Sequence, residues 1–228
     1  VEMAKAVSLA ERLSTQFPND SGILGMAWQT YGLASSIYEE ANPKISLDFA
    51  QRQLAVAERA VSADKADAQA RYNLARATSR LGLILALAGQ TTEALPQLSK
   101  AETMFNALIS DDPKNTVFQR DLGTLYVRMG DTSEKRKDYY DAMLKYQNSA
   151  VLFEKIAQGD DKNTLARRDL AQSLKSVGLM AIKTGQTQSA KKNLDRALAL
   201  VDELRSQNAI GKWDEKLRTE ITTALAGI

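Results

Sequence analysis

The chain has 228 residues, 44% hydrophobic and 25% charged, which is enough apolar side chain for a packed core and too much for a disordered polymer. Thirty Lys and Arg against 28 Asp and Glu leave a formal net charge of +2, without the excess of base that binding to nucleic acid or an anionic membrane draws on. Cys and His are both absent, which excludes disulfides, thiolate or imidazole metal sites, cysteine nucleophiles and every His-based acid–base mechanism.

Apolar residues recur at three- and four-residue spacing along the whole chain, and breakers punctuate them. The spacing predicts ten helices, at 1–17, 20–41, 44–63, 67–88, 91–110, 115–136, 138–158, 163–184, 187–206 and 212–226. The first opens at Val1 already in helical register (Met3, Ala6, Ala10, Leu13), with no basic-then-apolar leader. That opening reads as the end of a preceding repeat in a domain excised from a longer protein, and it leaves the compartment unassigned. Phe17-Pro18-Asn19-Asp20 closes this segment, and Asn42-Pro43 separates the next two. Leu74, Leu81 and Leu85 stripe the fourth helix, and Leu95, Leu98, Phe105 and Leu108 the fifth, with Gly89-Gln90 between them. Asp112-Pro113 and Gly185-Gln186 mark later ends. The last segment reads as a terminal covering helix with Trp213 or Leu217 packed inward. No stretch alternates as a strand does, and no apolar run approaches the roughly 18 residues of a membrane span.

The helices come in pairs that repeat about every 48 residues. Arg120-Asp121-Leu122 recurs as Arg168-Asp169-Leu170, with Tyr72-Asn73-Leu74 as the earlier copy. Gly82, Gly130 and Gly178 share one position, Ala94, Ala142 and Ala190 another, and Leu98, Tyr146 and Leu194 a third. The copies run 20–67, 68–115, 116–163 and 164–211, flanked by 1–19 and 212–228, within one domain. The first is degenerate and carries Ala34 at the Gly position. Glycine inside a helix costs about 1 kcal/mol relative to Ala, so its recurrence points to close helix packing that a side chain would obstruct.

Leu81-Gly82, Gly89, Ala94, Leu98, Ala101 and then Val177-Gly178, Gly185, Ala190, Leu194, Ala197 resemble the tetratricopeptide repeat. The middle copy keeps Gly130, Ala142 and Tyr146 but has Lys137 and Ser149. The unit is longer than that family's 34 residues. The Asp-Pro-x-Asn and Arg-Asp-Leu phrases also resemble repeat regions that follow kinase domains in large bacterial signalling proteins. The resemblance implies an all-α solenoid of antiparallel helix pairs, a right-handed superhelix whose first helices line a concave face. It implies non-catalytic recognition of a protein or peptide partner, without cofactor, metal, nucleic acid or membrane insertion.

On that face, Trp28 aligns with Arg76 and Thr124, and Tyr31 with Val127 and Lys175. The expected partner contacts are Trp28, Tyr31, Tyr38, Arg76, Arg80, Thr124, Val127 and Lys175, with the aromatics as apolar anchors and the two arginines holding a partner carboxylate. The competing reading packs Trp28 and Tyr31 against the first helix. The Arg-Asp-Leu phrase reads as structural, with Arg120 and Arg168 pairing across repeats. The run 134–138 reads as a solvated junction, and Asp111-Asp112 and Asp160-Asp161 as turn residues rather than catalytic or metal-binding carboxylates. Self-association through the first helix and a helical-repeat RNA reader are the alternative functions.

Overall fold

The computed structural model describes residues 2–160, 162–207 and 211–228. These residues form ten helices and no strand: α1 (Glu2–Gln16), α2 (Ser21–Tyr38), α3 (Pro43–Ala63), α4 (Ala68–Leu87), α5 (Thr91–Asp111), α6 (Thr116–Lys135), α7 (Tyr139–Gly159), α8 (Thr164–Lys183), α9 (Thr187–Ser206) and α10 (Lys212–Ala226). The largest departure from expectation is the end of α2, at Tyr38 instead of 41. Asn42, at φ −155° and ψ 86°, lies outside the helical region, and its side chain accepts from the Ile45 amide to start α3, with Pro43 at the first helical position. A residue before proline is pushed out of the helical region, so α2 stops short of it. The chain separates into two compact units, one ending at Lys114 and one beginning at Asn115.

The same turn chemistry recurs at the same register in both units. Asp67, Asn115 and Asn163 each cap a helix, their side-chain oxygens accepting from backbone amides of the first turn. Gly89, Lys137 and Gly185 each take a positive φ, of 80°, 62° and 75°. Around them the Gln90, Asp138 and Gln186 amides reach back to the carbonyls of Leu85, Ser133 and Ala181 at 2.9, 3.0 and 2.8 Å. This is the Schellman closure, and it satisfies carbonyls a helix end leaves open. Asp64 and Asp160 accept from backbone amides two residues on, and Asp111 pairs with Arg71 at 2.7 Å. Asp160 is thus used in a local turn, as is Asp64, whereas Asp111, the last residue of α5, reaches across to α4; Asp161 lies outside the described residues.

In the first unit, consecutive helices pack pairwise from α1 to α5. A methyl group built on Gly82 of α4 would stand 2.7 Å from Leu98 Cδ2 and 3.3 Å from the Ala94 carbonyl of α5. Leu98 and Ala94 are both fully buried. The second unit repeats this contact. A methyl on Gly130 would stand 2.6 Å from the Tyr146 ring, and one on Gly178 would stand 2.6 Å from Leu194 Cγ and 3.3 Å from the Ala190 carbonyl. The Tyr146 hydroxyl lies 2.6 Å from Asp131 Oδ1 and 3.3 Å from Glu134 Oε2, so the buried ring ends on polar partners. Burial, with the Asp131 carboxylate beside it, pushes the phenol above its ordinary value. A methyl built on Gly123 of α6 would likewise stand 2.9 Å from the Phe153 ring of α7.

The recurring Arg-Asp pairs link one hairpin to the next within the second unit. Arg120 donates to Asp169 at 2.9 Å, and Arg168 donates to Asp214 of α10 at 2.8 Å. Asp214 is 2% exposed, and its other oxygen accepts from the Gly211 amide at 2.7 Å. Asp214 of α10 thus gives Arg168 the carboxylate that Asp169 gives Arg120. Leu217 and Ile221 are its buried apolar residues, while Trp213 is 51% exposed, so Leu217 is the residue packed inward.

The Lys137 turn has the glycine conformation without a glycine. Lys137→Gly is expected to raise the unfolding free energy by about 1 kcal/mol, by removing the Cβ clash of the left-handed region. Chemical denaturation of the chain measures it, and an unchanged or lowered value would show that the turn is unstrained.

Candidate interaction site

The aromatic row of α2 divides between core and surface. Tyr31 is 4% exposed and sits in a cluster with Ala10, Leu24, Ala27 and Val56, its ring centre 6.4 Å from that of Phe49. It belongs to the core, and the expectation that it touches a partner is corrected: Ala10 of α1 and Phe49 of α3 occupy the space such a partner would need. Tyr38, half-buried, stacks on the same Phe49 at 6.0 Å.

Trp28 is held from several sides and remains half-buried. Its Nε1 donates to the Asn73 carbonyl of α4 at 3.1 Å. Its own carbonyl accepts from Gln53 of α3 at 3.2 Å. The exposed Arg76 lays its guanidinium 5.3 Å from the Trp28 ring centre and 5.5 Å from that of Tyr72. A cation over an aromatic face is attracted by the ring quadrupole, so α2 and α4 are joined by an ordered aromatic–arginine stack. Beside it, the starts of α2 and α4 and the end of α3 enclose a cavity of about 340 Å³. Trp28, Leu24, Val56 and Ala60 give it apolar walls, and Asp64 and Asp67 are the charged residues among those lining it.

The other expected contacts are engaged in the fold. Arg80 pairs with Glu39 at 3.2 Å and with the Ser36 hydroxyl. In the second unit, the Thr124 hydroxyl donates to the Arg120 carbonyl at 3.1 Å, and Val127 packs against buried clusters of that unit. Lys175 is 8% exposed and meets Glu220 of α10 at 2.6 Å. That bond holds the Glu220 carboxyl below its ordinary value. Lys175 is therefore not open to a partner: the helix that ends the chain has taken the place. The structure brings Trp28 and Arg76 together and leaves Thr124, Val127 and Lys175 serving packing.

Sequence reasoning missed the residues that open the cavity. Gly25 lines it, and a methyl group there would meet nothing within 4 Å. The available signal was a helix-interior glycine where the later copies carry Asn73, Asp121 and Asp169.

No protein-family model matches the chain, and no curated protein matches it. Solved structures do. The chain is similar to BtubC (BKLC) from P. vanneervenii, at 16% identity and a TM-score of 0.51, with 92% of this chain and 91% of that chain covered. It is similar to MamA at 16% identity and a TM-score of 0.50, covering 90% and 91%. It is similar to the apo form of RapI at 13% identity and a TM-score of 0.51, covering 100% and 84%. At these identities the likeness is one of fold, and the fold is all-helical and tetratricopeptide-like. The likeness to kinase-linked repeat regions finds no support among these neighbours. Among the described residues, no helix is long and apolar enough to cross a membrane.

Gly25→Ala is expected to raise the unfolding free energy by about 1 kcal/mol, since a helix-interior methyl is gained and nothing is struck. Denaturant unfolding of the variant beside the parent checks this, and a loss of stability would mean that the space beside Gly25 is not open.

Proposed function

We propose that the chain is a non-catalytic protein-interaction module that binds a segment of a partner protein, with its principal contacts around Trp28 and Arg76 of the first unit. The stack of Arg76 on Trp28, whose ring also lines a cavity, carries this reading. Interfaces draw most of their energy from a few aromatic and arginine side chains in desolvated surroundings. Here both are positioned before any partner arrives, by the Asn73 carbonyl and by the paired rings of Trp28 and Tyr72. A preformed surface loses less entropy on binding than one that must be ordered. Tyr38 and Arg80 lie further along α2 and α4 and extend the same surface. The recognition units are the 20–67, 68–115, 116–163 and 164–211 copies, and 212–228 closes the last. Having no His and no Cys, the chain offers neither imidazole nor thiolate for catalysis, and that fits a binding role.

Selection of a random-peptide display library against the intact chain tests the reading. Selected peptides are expected to bind roughly tenfold more weakly to the Trp28→Phe, Arg76→Ala double variant. Binding to Tyr140→Ala, altered at an exposed residue of the second unit, is expected to be unchanged. Enrichment no greater than on an unrelated helical protein, or equal losses at both places, would overturn it.

A further inference from the structure

Helix-interior glycines of the described residues are explained by what stands opposite them, Gly25 excepted; Gly159, which also meets nothing, is the last residue of α7 and not an interior one. Gly82 faces Leu98, Gly123 faces Phe153, Gly130 faces Tyr146, Gly178 faces Leu194, and Gly32 faces the Gln53 amide. Gly25, within α2, faces nothing. Each of the others gives up helix propensity for a packed neighbour, whereas Gly25 gives it up for empty space beside the Trp28 ring. At about 340 Å³ the cavity lies at the lower end of the range for ligand clefts, the size of a side chain with its flanking backbone rather than of a large cofactor.

The chemistry of the lining selects the occupant. Leu24, Val56, Ala57 and Ala60 offer an apolar wall, against which the methylene stem of a long side chain can lie. The formal charge in the lining is negative only, from Asp64 and Asp67. One oxygen of Asp64 accepts from the Ala66 amide at 2.8 Å, and one of Asp67 from the Gln69 and Ala70 amides at 2.8 and 3.2 Å. The second oxygen of each makes no hydrogen bond among the described residues. A wholly apolar occupant would desolvate these carboxylates without return, and an acidic one would be repelled. A base satisfies both walls. We propose that this cavity takes a lysine or arginine side chain of the partner segment, its stem along α2 and α3 and its cationic head at Asp64 and Asp67. The proposal rests on the interaction-module reading and adds to it the polarity of the bound segment: the cavity end of the site is acidic, and Arg76, stacked on Trp28, is not among the residues that line it.

The test uses the peptides from the display selection, synthesised with their Lys or Arg and again with Leu or Glu in its place. The protein carries Trp213→Phe, so that Trp28 alone reports by fluorescence. Selected peptides are expected to share a basic residue flanked by apolar ones, and its replacement is expected to weaken binding roughly tenfold. The Asp64→Asn, Asp67→Asn double variant keeps an amide oxygen for the backbone caps and is expected to abolish the preference for base. Gly25→Leu fills the space beside Trp28 and is expected to weaken the basic peptides while leaving the melting temperature no lower than the parent's. Peptides that bind without a basic residue, or whose preference for it survives both variants, would overturn the cavity assignment and leave the interaction module standing. A library yielding no binder would overturn both.

Discussion

The fold depends on a contact in which one helix gives up a side chain so that its partner can bury a large one. Gly82, Gly130 and Gly178 stand against Leu98, Tyr146 and Leu194, three side chains buried to 1% exposure or less. Each glycine costs a helix about 1 kcal/mol, while burying a Leu-sized side chain returns about 1.5–3 kcal/mol. The exchange is favourable only if the helices come close, and Ala94, Ala142 and Ala190 permit that approach. Because the same pair recurs in α4–α5, α6–α7 and α8–α9, the hairpins share one internal geometry. The caps at Asp67, Asn115 and Asn163 and the turns at Gly89, Lys137 and Gly185 hold these three copies to one register.

That geometry was legible in the sequence because it is periodic. Glycine, alanine and a bulky residue at fixed offsets can be aligned by eye, and breakers such as Gly89-Gln90 locate the helix ends to within a few residues. The cross-repeat pairing of Arg120 and Arg168 was legible for the same reason, although the second finds its carboxylate on α10, outside the repeat pattern. Features without a repeat were not legible. Gly123 faces Phe153, but its equivalents are Ala75 and Ala171, so no column of glycines drew attention to it. Gly25 and its cavity arise from three helices meeting, and spacing along one helix does not show what stands opposite. The aromatic row of α2 illustrates the limit. Trp28 and Tyr31 are three residues apart and share a helix face in projection, yet the first keeps an open side and the second is enclosed by α1 and α3.

Position in the chain decides which equivalent residues remain available. Lys175 shares a register with Tyr31, and both are used up: the tyrosine by α1 and α3, the lysine by Glu220 of α10. Trp28 is half-buried and Arg76 exposed, stacked one on the other. A solenoid-type fold offers the same register several times, and flanking helices decide which copies are covered. The candidate site is thus a local property of the first unit, built from the general register by the loss of a side chain at Gly25.

A double-mutant cycle on Gly178 and Leu194 tests the seam most directly, by equilibrium denaturation of the intact chain. Gly178→Ala drives a methyl into Leu194, and Leu194→Ala removes the group it strikes. The account predicts that the double variant is less destabilised than the sum of the single ones by at least about 1 kcal/mol. Additivity within about 0.5 kcal/mol would contradict it, because the two positions would then not be in the contact on which the rest of the fold is built.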